Sequence, residues 1–293
     1  DTNQDEQLRL SAFKALARMA DDVTAILEGG LKDPSEAIQL SAIELITRRD
    51  PQSSIERLGQ LAESGSVRAR QTAMQLLGSI PGEGTESVLL KSFEQLHKGS
   101  FPAGAVLDLL MAAERQNTPV LKKEIEAYRN SQKDAGTVLA LWSDCSDGGN
   151  AERGRALFFG RSAASCRRCH KVQGSGGEVG PDLSKIGKEK ERAYLLEAIV
   201  DPNAKIAKGF ETVILVTTEG KIHSGILKSE DDFVVQLMTP TGALVSVLKE
   251  EIDERANGQS GMPQDLIKNL TRAEIRDLVE YLTTLQSEKA AGH

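Results

Sequence analysis

Five consecutive residues, Cys166-Arg167-Arg168-Cys169-His170, limit what this chain can become more than any other stretch of its 293 residues. A C-x-x-C-H pentapeptide sets two thiols three residues apart with an imidazole directly behind the second, and few chemistries use that arrangement. A dithiol redox pair usually follows a strand in a βαβ unit, and a zinc site wants a further pair of Cys or His ligands nearby. Neither context surrounds this motif. The only other cysteine is Cys145, and His97, His223 and His293 stand in no ligand-like spacing with it. The pentapeptide therefore reads as a site where haem is bonded covalently to protein, the thiols adding to the two vinyl groups and the imidazole reaching the iron.

The flanking residues suit that reading. Upstream, Gly154-Arg155-Ala156-Leu157-Phe158 lies on a short helical pattern from about Asn150, with Gly154 and Phe158 on one face, where a glycine lets another helix come close. Downstream, Gly174, Gly176, Gly177 and Gly180 form a loop able to fold tightly around a flat macrocycle, ending in Gly180-Pro181-Asp182-Leu183. Near the end of the chain, Thr271 to Leu285 carries Ile275, Leu278, Leu282 and Leu285 with Tyr281. This is an amphipathic helix with Thr271 as N-cap and Glu274 completing a capping box.

On these motifs, residues from about 147 to 288 resemble a class I c-type cytochrome, and specifically the haem-binding domain of planctomycete and verrucomicrobial proteins. The resemblance rests on G-x-x-L-F before C-x-x-C-H, then G-P-D-L, a Met-Pro pair, and a closing helix with Glu280-Tyr281-Leu282. It implies one covalent haem c with thioethers at Cys166 and Cys169 and His170 as proximal iron ligand. Gly180 and Leu183 would help to bind the cofactor, and the Pro181 carbonyl would accept the other ring N–H of His170. Such an acceptor fixes the imidazole and strengthens it as a ligand.

The distal ligand is sought among the methionines, whose soft sulfur is typical of electron-transfer haems. Met19, Met74 and Met111 lie on amphipathic helices far upstream and Met238 in the strand-like run Val234 to Met238, where core filling is the default. Met262 stands instead in the irregular polar loop Gly258-Gln259-Ser260-Gly261-Met262-Pro263 and occupies the family position, so it is assigned as the distal ligand. His223 is the runner-up, with a surface-facing strand histidine as its plainer reading.

Between His170 and Met262 the chain is longer than a compact haem cage needs. From Glu211 it turns to β character: Thr212 to Thr217, Lys221 to Leu227, Phe233 to Met238 and Leu244 to Leu248, with turns at Glu219-Gly220 and Pro240-Thr241-Gly242. Four strands predict a small antiparallel meander or partly closed barrel over residues 211–252, inserted in the haem domain as in the planctomycete-type family.

The chain before the hinge is a different object. Placing Ala12, Ala42 and Ala73 in register also aligns Leu16, Ile46 and Leu77, a repeat of about thirty residues that signals stacked helix pairs. Partner helices fit Val23 to Leu27, Ile55 to Leu61 and Val88 to Leu96, with breakers at Asp33-Pro34, Asp50-Pro51 and Pro81-Gly82. Further helices are expected over Ala103 to Glu114 and Pro119 to Tyr128. The repeat resembles HEAT-like repeats with a period short of the usual HEAT length, and small α-solenoid repeats of another name would serve equally. The expected fold is mainly α: a HEAT-like α-solenoid over 1–142, a linker over 143–149 in which Cys145 is a lone thiol, and a cytochrome c-like haem domain over 150–290.

At 39% hydrophobic and 27% charged, the composition is that of an ordinary globular protein, and a net charge of -7 argues against a nucleic-acid binder. No apolar run approaches membrane-spanning length, and a signal peptide is expected to have been cleaved or trimmed from this sequence. Covalent haem nonetheless implies a bacterial, periplasmic or otherwise extracytoplasmic setting. The family analogy also suggests a fragment of a longer protein in which a β-propeller dehydrogenase precedes the repeats. Arg161, Arg167, Arg168 and Lys171 bracket the pentapeptide; they could steer an acidic redox partner, or serve the haem propionates, or simply solvate a loop. The leading expectation is an electron-transfer protein rather than an enzyme, passing electrons from a fused or associated dehydrogenase to a respiratory acceptor, with the repeats as docking scaffold. A haem sensor or peroxidase-like enzyme with a labile sixth ligand, and an interaction scaffold with accessory haem, are the alternatives.

Overall fold

The computed structural model describes residues 2–20, 22–161 and 166–287, so the expected domain end at 290 and His293 lie outside the described residues. The protein is mainly helical with a small antiparallel sheet, and its contacts divide it into two compact units, one up to Asn130 and one from Ser131.

The first unit consists of α1 (Thr2–Met19), α2 (Thr24–Leu31), α3 (Glu36–Arg49), α4 (Ile55–Ser64), α5 (Val67–Leu77), α6 (Glu83–His97), α7 (Ala103–Gln116) and α8 (Pro119–Asp134), the end of α8 belonging to the second unit. Serine caps recur. The Ser35 side chain accepts from Ile38 N at the start of α3, and that of Ser66 from Ala69 N at the start of α5. Each of these hydroxyls also meets a glutamate from about thirty residues earlier, Ser35 with Glu6 and Ser66 with Glu36, both at 2.5 Å. Leu58, Met74, Leu77, Leu89, Phe93 and Leu110 are fully enclosed between the helices.

The aligned repeat is not uniform in three dimensions. Ala42, Ala73 and Leu77 are completely buried, whereas Ala12 is exposed and Leu16 is 57% exposed. In α1 the inward residues are instead Phe13 and Ala17, because the Phe13 ring fills the space above Gly30 and so rotates the helix by one position. Met19, expected as core filler, is 83% exposed for the same reason, while Met74 is fully buried.

The second unit opens with α9 (Val138–Leu141) and a 3₁₀ turn over Ser143–Cys145. Residues 143–149, expected as a linker, are packed here: Asp144 and Cys145 are buried, Cys145 in the same apolar cluster as Phe158, Ile275 and Tyr281. Arg272 holds them by pairing with Asp144, donating to the Leu141 carbonyl at 2.7 Å and stacking over the Trp142 ring at 4.2 Å. Then come α10 (Ala151–Gly160), α11 (Cys166–Cys169), the hairpin β1 (Lys171–Val172) and β2 (Ser175–Gly176), α12 (Ile186–Glu189) and α13 (Arg192–Val200). The closing helix α14 (Arg272–Thr283) carries the expected capping box, Thr271 with Glu274.

Between α13 and α14 lies the sheet of β3 (Thr212–Thr217), β4 (Ile222–Glu230), β5 (Val234–Met238), β6 (Leu244–Leu248) and β7 (Ile252–Asn257), in spatial order β6-β5-β4-β3-β7. Alternation buries Val213, Leu215, Val235, Leu237 and Val247 on one face. The expectation of four strands needs correcting: β7 returns to pair with β3, Val213 opposite Asn257 and Leu215 opposite Arg255. The sheet is open rather than barrel-like, with β6 and β7 as its two edges.

Candidate functional site

The pentapeptide folds as one helical turn. His170 N donates to Cys166 O at 2.9 Å, and a spacing of three puts the two thiols on the same side of the turn, with Arg167 and Arg168 exposed. Both thiols are free of disulfide. Burial pushes Cys166 up to about 11 and also raises Cys169, so both are neutral thiols near neutral pH. A dithiol redox centre depends on the opposite shift, toward thiolate. Among the described residues no group of three or more His, Cys, Asp or Glu is arranged to hold an ion, so the donors of a zinc site are not assembled around these cysteines.

His170 is half-buried and oriented through its own ring. Its Nδ1 lies 2.9 Å from the carbonyl oxygen of Pro181, which accepts the ring N–H and leaves Nε2 as the nitrogen with a free lone pair. Burial lowers the pKa of this imidazole and the Pro181 carbonyl opposes that shift. A Cβ on Gly180 would lie 2.6 Å from His170 Cε1 and 2.8 Å from Nδ1, so only glycine lets the chain pass beneath the ring. Gly176, at φ 124°, and Gly177 approach the His170 and Arg168 carbonyls so closely that a side chain on either would collide with backbone. Gly177 N donates to Arg167 O at 2.9 Å and Gly180 N to Cys169 O at 2.7 Å, which wraps the glycine loop around the pentapeptide.

The support behind this cradle is the crossing of α10 and α14. Phe158 and Tyr281 pack with tilted rings 5.6 Å apart between centres, and Phe159 lies edge-on 5.1 Å from Phe158. Asp277, 4% exposed, accepts from Asn150 N at 2.7 Å and Arg153 Nε at 2.6 Å, and Arg192 pairs with Glu280 at 2.7 Å. These ion pairs were not legible from spacing, since their partners lie more than eighty residues apart. Phe158, Phe159, Arg161, Arg167, Arg168 and Gly176 line an open cleft of about 660 Å³ beside the pentapeptide, a size within the range of small-molecule and cofactor sites. Of the four cations noted from sequence, Arg161 pairs with Glu274 and Lys171 with Glu178, which leaves Arg167 and Arg168 as the exposed charges at that cleft.

The structure thus brings Cys166, Cys169, His170, Gly180 and Pro181 together, with Leu183 joined to them through its N–H bond to Lys171 O at 2.8 Å. Met262 is half-buried in the loop after β7, and that loop is tied to the sheet and to the turn that follows α13. Gly258 N donates to Thr212 O and Ser260 N to Asn203 Oδ1, both at 2.7 Å, while Met262 N reaches Ser260 Oγ at 3.2 Å. His223 sits half-buried on β4, paired with Leu215.

The residues of this cradle fit a covalently held haem. Two neutral thiols on one turn are suited to form thioethers, the oriented imidazole is suited to reach the iron, and Gly176, Gly177 and Gly180 hold a loop path that any Cβ would block. Residues 151–223 match the family model described as cytochrome c, a span that runs from the start of α10 through the pentapeptide into β4 and covers about a quarter of the chain. No curated protein matches the chain. The match implies covalently bound haem c and suggests haem-based electron transfer.

Proposed function

We propose that this chain is a mono-haem c-type electron carrier. The observation that carries the reading is the His170 geometry, an imidazole with Nδ1 committed to the Pro181 carbonyl and its ring seated on Gly180, directly behind two neutral thiols within the cytochrome c match. Cys166 and Cys169 would be the thioether positions, His170 Nε2 the proximal iron ligand and the Met262 sulfur the distal one. When bound, the haem supplies a one-electron couple between ferric and ferrous iron.

The chain's own residues set that couple. Pro181 strengthens His170 as a donor, and Met262 favours the ferrous state. Arg167 and Arg168, exposed beside the cleft, would give an acidic redox partner a place to approach despite the net charge of -7. The wider setting belongs to the same proposal: a planctomycete-type haem domain, HEAT-like repeats serving as docking scaffold, an extracytoplasmic bacterial location, a dehydrogenase as donor and a respiratory acceptor. The recurrence of the Ser35–Glu6 and Ser66–Glu36 contacts at about thirty residues supports the repeat assignment. Among the described residues no helix is long and apolar enough to cross a membrane.

The test is the visible spectrum of the protein made in a host competent in cytochrome maturation. Sharp bands of a reduced low-spin haem, with a ferric charge-transfer band from methionine sulfur, are expected; a high-spin spectrum would overturn the carrier reading in favour of a labile sixth site.

A further inference from the structure

The hydrogen bond from His170 to Pro181 depends on where the backbone of residues 180–184 is held. Two of its fastenings are main chain to main chain, Gly180 N to Cys169 O at 2.7 Å and Leu183 N to Lys171 O at 2.8 Å. Pro181 sits between them, its φ fixed by the ring and its carbonyl facing the imidazole at 2.9 Å. A third fastening runs through a side chain. Gln173 N donates to Ser184 Oγ at 2.6 Å, and the same hydroxyl donates to Asp182 Oδ1 at 2.5 Å, while Ser184 N donates to that oxygen at 2.8 Å.

Two features show that this third fastening is built into the fold and is not solvent decoration. Ser184 is 3% exposed, and its partner Gln173 has φ 51°, a left-handed backbone that a non-glycine residue keeps only where its surroundings hold it. Gln173 and Gly174 together make the turn of the β1–β2 hairpin that follows His170. The Asp182–Ser184 pair thus joins the chain leaving the imidazole to the chain carrying its hydrogen-bond acceptor.

We infer that Ser184, with Asp182 orienting its hydroxyl, is a positioning residue for His170: it sets the Pro181 carbonyl against Nδ1 and through that bond tunes the iron's reduction potential. This rests on the haem-carrier reading and deepens it. A firm bond from Nδ1–H to a carbonyl makes the imidazole a stronger donor and favours ferric iron, so loosening it raises the potential.

The experiment compares the haem-loaded full chain with Ser184→Ala, Ser184→Thr and Asp182→Ala, reading potential, the His170 Nδ1 proton resonance and denaturant stability on samples whose haem content is set by pyridine haemochrome. Ser184→Ala is expected to shift the ferrous/ferric equilibrium about threefold toward ferrous, roughly 28 mV at about 59 mV per tenfold for one electron, with a displaced Nδ1 resonance. Ser184→Thr restores both, and Asp182→Ala moves the potential in the same direction by less. A purely structural role would lower stability and leave potential and resonance where they are. If Ser184→Ala yields no folded haem protein, Asp182→Ala decides, because it keeps the hydroxyl. Parent-like potential and resonance with haem attached overturn the inference alone, whereas absence of haem from the parent overturns the reading beneath it.

Discussion

Gly154 of α10 rests on the main-chain carbonyl of Asp277 in α14, so close that a Cβ would collide with that oxygen and lie 2.7 Å from Tyr281 Cβ. Replacing a helical glycine by alanine ordinarily gains about 1 kcal/mol of helix propensity. Here the obstructing atom is backbone and cannot turn aside, so overpacking of about 1–3 kcal/mol outweighs the gain. Gly154→Ala is expected to lower the denaturant midpoint. Gly29→Ala in α2, where nothing lies within 4 Å, is expected to raise it. Equal effects at the two sites would show that the helix crossing is looser than described.

Gly180→Ala tests the seat of the imidazole. The added methyl falls 2.6 Å from His170 Cε1, and a ring that makes room for it swings off the Pro181 carbonyl. The expected outcome is a loss of about 1–3 kcal/mol of stability, together with a shift of the His170 Nδ1 proton resonance toward a solvent-like position. A variant with the parent's resonance would mean that the loop, not the ring, yields.

The buried thiols give the haem-free chain a pH dependence. Burial raises Cys166 from 9.0 to about 11, so the fold disfavours its thiolate. The stability from this group is therefore complete below about pH 9 and is lost as pH rises through about 11. Cys145, raised by burial to about 12, extends the decline upward. Urea midpoints followed across this window in parent and Cys166→Ala are expected to converge with rising pH; a constant gap between them contradicts the assignment.

Met262→Ala removes the proposed distal sulfur without touching the proximal cradle. The haem should stay attached and the potential should fall by at least tenfold in the ferrous/ferric ratio, about 59 mV for one electron, with new binding of an exogenous ligand such as imidazole. An unchanged potential would move the distal role to another residue, His223 first.

Much of this site can be read along the chain because its parts are local. The C-x-x-C-H turn, the glycines at 174–180 and the Thr271–Glu274 capping box each arise within a short stretch of chain, where spacing and residue type decide the geometry. What escaped is non-local or unpatterned. Strand β7, Ile-Asp-Glu-Arg-Ala-Asn, is an edge strand with no buried face, so it shows no alternation and owes its existence to pairing with β3. The burial of Cys145 and Asp144 depends on Arg272, well over a hundred residues away, and 143–149 therefore looked like a linker. The one-position rotation of α1 follows from the fit of Phe13 over Gly30 and not from any period.

Intact mass spectrometry under denaturing conditions, paired with pyridine haemochrome, tests the central claim most directly. For the chain expressed with cytochrome maturation, the account expects the added mass of one haem that survives denaturation and disappears in Cys166→Ala with Cys169→Ala. The bare polypeptide mass, or a haem lost on denaturation, would contradict it.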